Sequence, residues 1–449
     1  MKSVSTAFSV LGIGASVLSA SGVAHAYGAL LRLNATSGAQ DTSFGTNGLV
    51  TSTASGDSYS SVIATPTVEY AAGAAQTGTN TTRPVVRTYL LGGSPASWAQ
   101  GGTAILPSVS TAPAQHAQAI VRDSSNRIIA VCDDGTNVWL VRLDSSGNPD
   151  PTYGNNTLNP GVVSPFGGLG NGLALRAVGV KLLSDGRTIV VANNANGAAG
   201  FSLARVNAAG VVDLLSTGNS FGETATVSSA MDFAIDSHDN IAITGQSSTG
   251  DCGVITLTKD VVVPDKLVVN FRDTVHFTQY PNNHTFGSGV AFEPIAGSMT
   301  VVVGIQATPQ YPVSGVRFRF RTYDNNYSSS PAWTLNDSLT GPYISGSTPQ
   351  TTSPTWKVLP IEIIGPSGLP SLEYYVAGTS QTASGSYQFE VVKVTAVDPN
   401  TGLLQGDSAF GSNGEVHYPL SGYNAVGLNV AATGRGGTTN YPVVAGVVY

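Results

Sequence analysis

From residue 27 onward the apolar positions come in short runs bounded by Gly, Asn, Asp and Ser, such as "ALLRLN" at 29–34, "VWLVRL" at 138–143, "TIVVAN" at 188–193 and "PVVAGVVY" at 442–449. Runs of about 5 to 8 residues rich in β-branched and aromatic side chains, closed by such turn formers, predict β-strands. The chain reads as turn-rich β. Its 53 glycines fit turns rather than disorder, because strand formers are abundant beside them.

The runs recur in a fixed order. Four segments share a strand with Arg or Lys, a turn, an acidic residue, an aromatic-Gly pair and a second short strand: "LLRLNATSGAQDTSFGTNGLVTS" from Leu30, "WLVRLDSSGNPDPTYGNN" from Trp139, "SLARVNAAGVVDLLSTGNSFG" from Ser202 and "VVKVTAVDPNTGLLQGDSAFGSNG" from Val391. A weaker copy starts at Val85, and its Arg87 extends the series Arg32, Arg87, Arg142, Arg205. Between these copies lies a second recurring half, an apolar strand, a turn and another strand. It reads "AIVRDSSNRIIAVCDDG" at 119–135, "VGVKLLSDGRTIVVANNANG" at 178–197 and "MDFAIDSHDNIAITGQSSTG" at 231–250, with looser copies from Ser60, Gly289, Val358 and Ala425.

Seven copies of about 60 residues, each with four short strands, predict an all-β, seven-bladed β-propeller. With the second half named strands A and B and the first half C and D, the chain opens on C and D and finishes on A and B. Pairing of "PVVAGVVY" with "GALLRLN" at 28–34 would build one blade from both ends and close the ring, leaving no open sheet edge. "QDTSFGTNG" at 40–48 and "GDSAFGSNG" at 406–414 would then be turns on neighbouring blades.

The ends and the charge refine this picture. Residues 1–26 carry one charge, Lys2, then a small-residue apolar run and "AHA" before Tyr27. That pattern predicts a signal peptide cleaved after Ala26, leaving residues 27–449 as a single propeller domain, secreted or periplasmic. Without Lys2 there are 19 basic (20 minus 1) and 27 acidic residues, net −8. A mildly acidic chain without Lys/Arg runs argues against nucleic acid and anionic membranes as partners. No further apolar span of membrane length follows. An outer-membrane barrel, suggested by the terminal Tyr449, would need longer, less interrupted strands.

"SDGRTIVVAN" at 184–193, "FSLARVNAAG" at 201–210 and "QDTSFGTNG" resemble the delta-sixty repeat family of exported bacterial proteins. The resemblance is strong around 30–50, 119–222 and 390–414, and region 252–356 departs from it. It implies a propeller-like fold and no chemistry that transfers residue by residue.

Candidate sites are weighed against the repeat. "GNSFG" at 218–222 matches the nucleophile elbow of serine hydrolases, but Ser220 occupies the repeat's own turn and no helix pattern follows. Asp41, Asp150 and Asp407, with Phe44, Tyr153 and Phe410, are read as structural: the Asp supports a turn and the aromatic fills the layer between blades. Arg32, Arg142 and Arg205 are read as making a repeated inter-strand bond or ion pair. "DSHDN" at 236–240 and "CDDG" at 132–135 lack a calcium loop's ordered oxygens and are read as turns. No metal or cofactor is expected. Cys132 and Cys252 fall on non-adjacent blades and are read as buried thiols.

The departing region offers a binding surface. A D-to-A loop at 272–287 and a B-to-C loop at 307–312 would share one face and present Arg272, His276, Tyr280, His284, Tyr311 and Trp356 to a sugar or a protein. These readings predict a monomeric, non-enzymatic binding scaffold for protein or glycan at the bacterial envelope or outside the cell. A hydrolase or lyase with its site in the propeller's central depression is the alternative.

Overall fold

The computed structural model describes residues 27–53, 56–154, 159–167, 174–194, 200–212, 226–259, 267–275, 284–293, 299–306, 318–323, 357–364, 370–381, 386–396, 404–412, 414–419, 425–433 and 441–448. The expected signal peptide at 1–26 and "GNSFG" lie outside the described residues. The described strands form seven antiparallel sheets, and no helix occurs among them. Accordingly no helix there is long and apolar enough to cross a membrane.

In chain order the first sheet holds Ser58–Ala64, Val68–Gly78, Thr81–Leu90 and Thr103–Ile105, and the second His116–Arg122, Ile128–Asp133, Val138–Leu143 and Val162–Val163. The third holds Leu175–Leu182, Thr188–Asn194 and Phe201–Val206; the fourth holds Ser229–Ile235, Ile241–Gln246, Cys252–Lys259 and Leu267–Val275. The fifth comprises His284–Phe292, Met299–Gln306 and Phe318–Tyr323. In the sixth, Lys357–Ile364, Pro370–Gln381 and Tyr387–Ala396 are followed by Leu404–Gly406 and Glu415–Tyr418, which both pair with the third strand.

The terminal sheet is built from both ends of the chain, in the spatial order Ala425–Thr433, Tyr441–Val448, Tyr27–Arg32 and Leu49–Thr51. Its central ladder runs from Tyr27 opposite Val448 to Arg32 opposite Val443. The first strand of every sheet packs against the first strand of the next, and Ala425–Thr433 packs back on Ser58–Ala64. The sheets therefore form a closed β-propeller arrangement with these first strands innermost.

The core is divided into layers between sheets. Trp98, Ile128 and Trp139 fill the layer between the first and second sheets; Leu30, Phe44, Tyr59 and Val443 fill that between the terminal and first. This explains why "VWLVRL" is buried at every position: a middle strand has a neighbouring sheet on each face, so a continuous apolar run replaces alternation.

Six inner strands carry a β-bulge at a matching place, centred on Ser60, Gln118, Val178, Met231, Ser288 and Leu428. A bulged residue leaves the ladder, so its backbone groups can turn elsewhere. The sixth sheet's inner strand, beginning at Lys357, pairs in continuous register.

One expectation is corrected here. Residues 272–287 are not one loop, because Arg272 lies within the outer strand Leu267–Val275 and His284 opens the inner strand His284–Phe292. Leu267–Val275 pairs along Cys252–Lys259 from Lys259 opposite Leu267 to Cys252 opposite Val275, with one irregularity at Asn270.

Candidate functional site

The repeat's charged residues meet at the rim. Arg32 Nε donates to Asp41 Oδ2 at 2.8 Å, its Nη2 donates to Ser43 Oγ at 3.1 Å, and the guanidinium lies 4.5 Å from the Phe44 ring centroid. In the second sheet Arg142 repeats this with Asp150 at 2.9 Å, Thr152 at 3.0 Å and Tyr153 at 4.3 Å. In the sixth, Lys393 Nζ sits 2.8 Å from both Asp407 and Glu373, and Phe410 packs edge-on against Tyr375. Arg205 is likewise buried, and its matching turn lies outside the described residues.

The backbone closes each clasp. Asp41, Asp150 and Asp407 N–H groups donate to the carbonyls of Arg32, Arg142 and Lys393, whose own N–H groups donate to Gly48, Gly161 and Gly414. Burial pushes Asp150 up, but hydrogen bonds from the Thr152 hydroxyl and N–H, with the charge of Arg142, outweigh it and hold the carboxyl below its ordinary range. Asp41 is lowered in the same way, through Ser43 and Arg32. These groups are used up on one another, which is structural work.

The first sheet departs. There Thr88 N–H donates to Gly102 and Ala96 N–H to Thr88, so Thr88, not Arg87, holds the position of Arg32 and Arg142. This corrects the series drawn from the sequence. A one-residue offset sends a strand side chain to the opposite face, and Arg87 meets Asp57 at 2.6 Å instead.

Each rim turn also latches onto the next sheet. The N–H groups of Gly411, Gly45, Ala99 and Gly154 donate to the carbonyls of Ser37, Gly92, Ser146 and Ala209 at 2.8–3.0 Å. The first of these bonds ties the second motif to Ser37, three residues before the first motif begins, and Lys393 Nζ adds a bond to Ala35 O at 3.0 Å.

The inner strands carry a second charged group. Lys357 of the sixth sheet reaches past the fifth to the fourth, where its Nζ lies 2.8 Å from Asp232 Oδ1 and donates to the bulged Met231 carbonyl at 3.1 Å. Asp232 Oδ2 accepts from Val290 N–H of the fifth sheet at 3.2 Å. Lys181, on the third sheet's inner strand, is exposed. Its pKa is lowered, chiefly because the surrounding protein desolvates the ammonium; Asp232 counteracts this and Lys357 adds to it.

Of the residues expected to bind ligand, Arg272 is exposed on an outer strand and His284 opens an inner one. They are not brought into one loop. His276, Tyr280, Tyr311 and Trp356 lie outside the described residues. "DSHDN" is the turn between Ser229–Ile235 and Ile241–Gln246, where Asp236 accepts from His238 and Asn240 N–H at 2.8 Å. Asp239 there ties to Ser184 of the third sheet and to Lys259 at 2.8 Å. In "CDDG", Asp133 accepts from Ala177 N–H of the third sheet at 3.0 Å. Cys132 and Cys252 are buried free thiols.

One group the sequence did not suggest has metal-ligand chemistry. Glu390, Glu415 and His417 place one ligand atom each within 4.8 Å of one another. Both His417 nitrogens are engaged, Nε2 with Glu415 at 2.6 Å and Nδ1 with Gln388 at 3.1 Å. That arrangement serves as a cross-strand bridge.

No family model matches the chain, and no curated protein sequence does. Among solved structures, a protein from Lactobacillus plantarum aligns over 88% of this chain and 100% of its own, at 10% identity and TM-score 0.45. The calcium-binding protein regucalcin from Agrobacterium tumefaciens aligns over 71% and 81%, at 12% identity and TM-score 0.35. Oligopeptidase B from Leishmania major aligns over 70% of this chain and 38% of its own, at 11% identity and TM-score 0.34. Likenesses this distant carry no functional argument.

Proposed function

We propose that this chain is an exported, seven-bladed propeller of delta-sixty type, each sheet one blade, that acts as a non-enzymatic binding scaffold for protein or glycan at the bacterial envelope or outside the cell. The observation that carries the reading is the division of charge. At the rim, Arg32, Arg142 and Lys393 are engaged by their own turns, so the repeat is used to build the ring. What differs between blades is the set of side chains on the inner strands, where a ring presents ligands with a shared depression.

A glycan array together with a pull-down from envelope extract tests the binding role; the expected result is at least one saturable ligand, and blank results in both would sink it. Sequencing the mature N-terminus is expected to begin at Tyr27, and class averages of the purified particle by electron microscopy are expected to show seven blades. The Asp232–Lys357 pair favours one second reading, a hydrolase or lyase at the central depression. Turnover of a glycoside, ester or uronate substrate, abolished in Lys181→Met, would establish it in place of the scaffold.

A further inference from the structure

The innermost strands gather charge from three sheets that are distant in sequence. Counting from the matching bulges, Asp232 is the first residue after Met231 and Lys181 the third after Val178. Because the third and fourth inner strands pack side by side, Lys181 stands two residues, about 6.6 Å, further along the axis than Asp232. A lysine stem spans such a gap. Lys357 arrives from the sixth sheet and is fixed at 2.8 Å from Asp232 and 3.1 Å from the Met231 carbonyl.

The roles divide clearly. Asp232 is engaged on both oxygens, by Lys357 and by Val290 N–H, whereas Lys181 is exposed and forms no ion pair among the described residues. Lys181 and Lys357 set two ammonium groups against the carboxylate of Asp232, a charge of +1 for these three, and the protein around Lys181 desolvates its ammonium. An unbalanced charge is costly there, and a ligand monoanion would neutralise it. A phosphate dianion would overshoot.

We propose that Lys181 and Lys357, together with Asp232, form an axial site for a carboxylate-bearing ligand, with Lys181 as the group that meets the carboxylate. Lys357 and Asp232 position the site by tying the fourth, fifth and sixth inner strands together. The site rests on the scaffold reading above and names its ligand chemistry. A free small carboxylate and the uronate of a glycan share that chemistry.

Calorimetric titration of the full-length protein with D-glucuronate, acetate, D-glucose and inorganic phosphate tests it. Glucuronate is expected to bind with a Kd of about 1 mM or tighter, glucose not to bind, and phosphate to bind more weakly than glucuronate. Acetate matching glucuronate would identify the free carboxylate as sufficient; acetate weaker by about tenfold would identify the sugar-borne acid. Lys181→Met is expected to lose at least about tenfold in affinity and Lys181→Arg to keep it. Lys181→Arg keeps the charge and should leave the thermal midpoint unchanged, and Lys181→Met, which removes an unbalanced charge, should not lower it; that measurement guards against misfolding. Equal affinity of wild type and Lys181→Met, glucose binding as tightly as glucuronate, or no carboxylate binding would each overturn the site. If the glycan array finds ligands that bind Lys181→Met normally, the axial site fails and the scaffold stands; a blank array and blank pull-down remove the scaffold, and the axial site falls with it where the calorimeter also shows no carboxylate binding.

Discussion

The first sheet and the second do the same job at the rim with different chemistry. In the second, Arg142 threads between Asp150 and the face of Tyr153, and the carboxyl is held ionised. In the first, Thr88 occupies that position, and Arg87 on the other face meets Asp57, whose pKa burial raises despite the offsetting charge of Arg87. Trp98 supplies the aromatic there, donating its indole N–H to Ser145 O of the second sheet at 3.1 Å. Ala99 stands where the other turns have glycine, at φ 49. A repeat can thus lose its signature and keep its place if backbone bonds and the latch survive.

Removing the cation should affect the two sheets unequally. Arg142→Met leaves the buried Asp150 with Thr152 and, at 3.9 Å, the half-buried Arg127 as its remaining partners, and is expected to cost about 3 kcal/mol by urea denaturation. Arg87→Met is expected to cost about 1–2 kcal/mol, because Asp57 can take up a proton. Equal losses would remove the distinction.

The latch is tested at Gly210. Its φ is +82 and an added Cβ would sit 2.3 Å from Gly154 N, so Gly210→Ala is expected to cost about 3 kcal/mol, combining backbone strain with a displaced bond. Gly186, at φ +83 with open space around it, carries the strain alone, and Gly186→Ala should cost about 1 kcal/mol.

The clasp of Arg32 adds a pH effect absent from the second sheet. Arg32 also reaches Glu69 of the first sheet at 3.4 Å, and burial lifts the Glu69 carboxyl to about 7, with the charge of Arg32 opposing the rise. The folded protein then holds a proton on Glu69 that the unfolded chain releases near 4.5. Stability from this group is present below that value and lost as pH rises through about 7. The expected loss is on the order of 2 kcal/mol, and Glu69→Gln should flatten that part of the profile. The smallest expected effect is a gain: Ala99→Gly relieves the positive φ and should raise stability by about 0.5–1 kcal/mol, read as a higher thermal midpoint.

Strands, turns and their order were legible in the sequence because the Gly-Asn-Asp punctuation and the recurring "SFG" and "AFG" turns are local signals. The neighbourhood of residues 41 and 407 could be read from the order of halves alone. Arg87 is out of the series because "VVRTY" is largely buried on both faces, and a doubly buried strand has no polar face to fix its register. The end of Leu267–Val275, from Arg272 on, reads as loop in the sequence because this strand lacks the repeat's Arg and aromatic-Gly pair. The axial group was hidden by distance along the chain: Lys181, Asp232 and Lys357 share no motif, and the bulges that align them leave no residue signature. A charged residue inside an apolar inner run, as in "MDFAI" and "VGVKLL", was the available clue.

The terminal sheet gives the molecule a particular way of coming apart. In an open stack of repeats the end unit has one neighbour, so it can peel off by breaking one interface, and unfolding frays inward. Here Ala425–Thr433 packs on the first sheet, and Tyr441–Val448 is held by Tyr27–Arg32, so every sheet has two neighbours. Releasing any one of them ruptures two interfaces at once. Loss of structure is therefore expected to be a single concerted event, with no preferred end at which a protease or a pulling force could start.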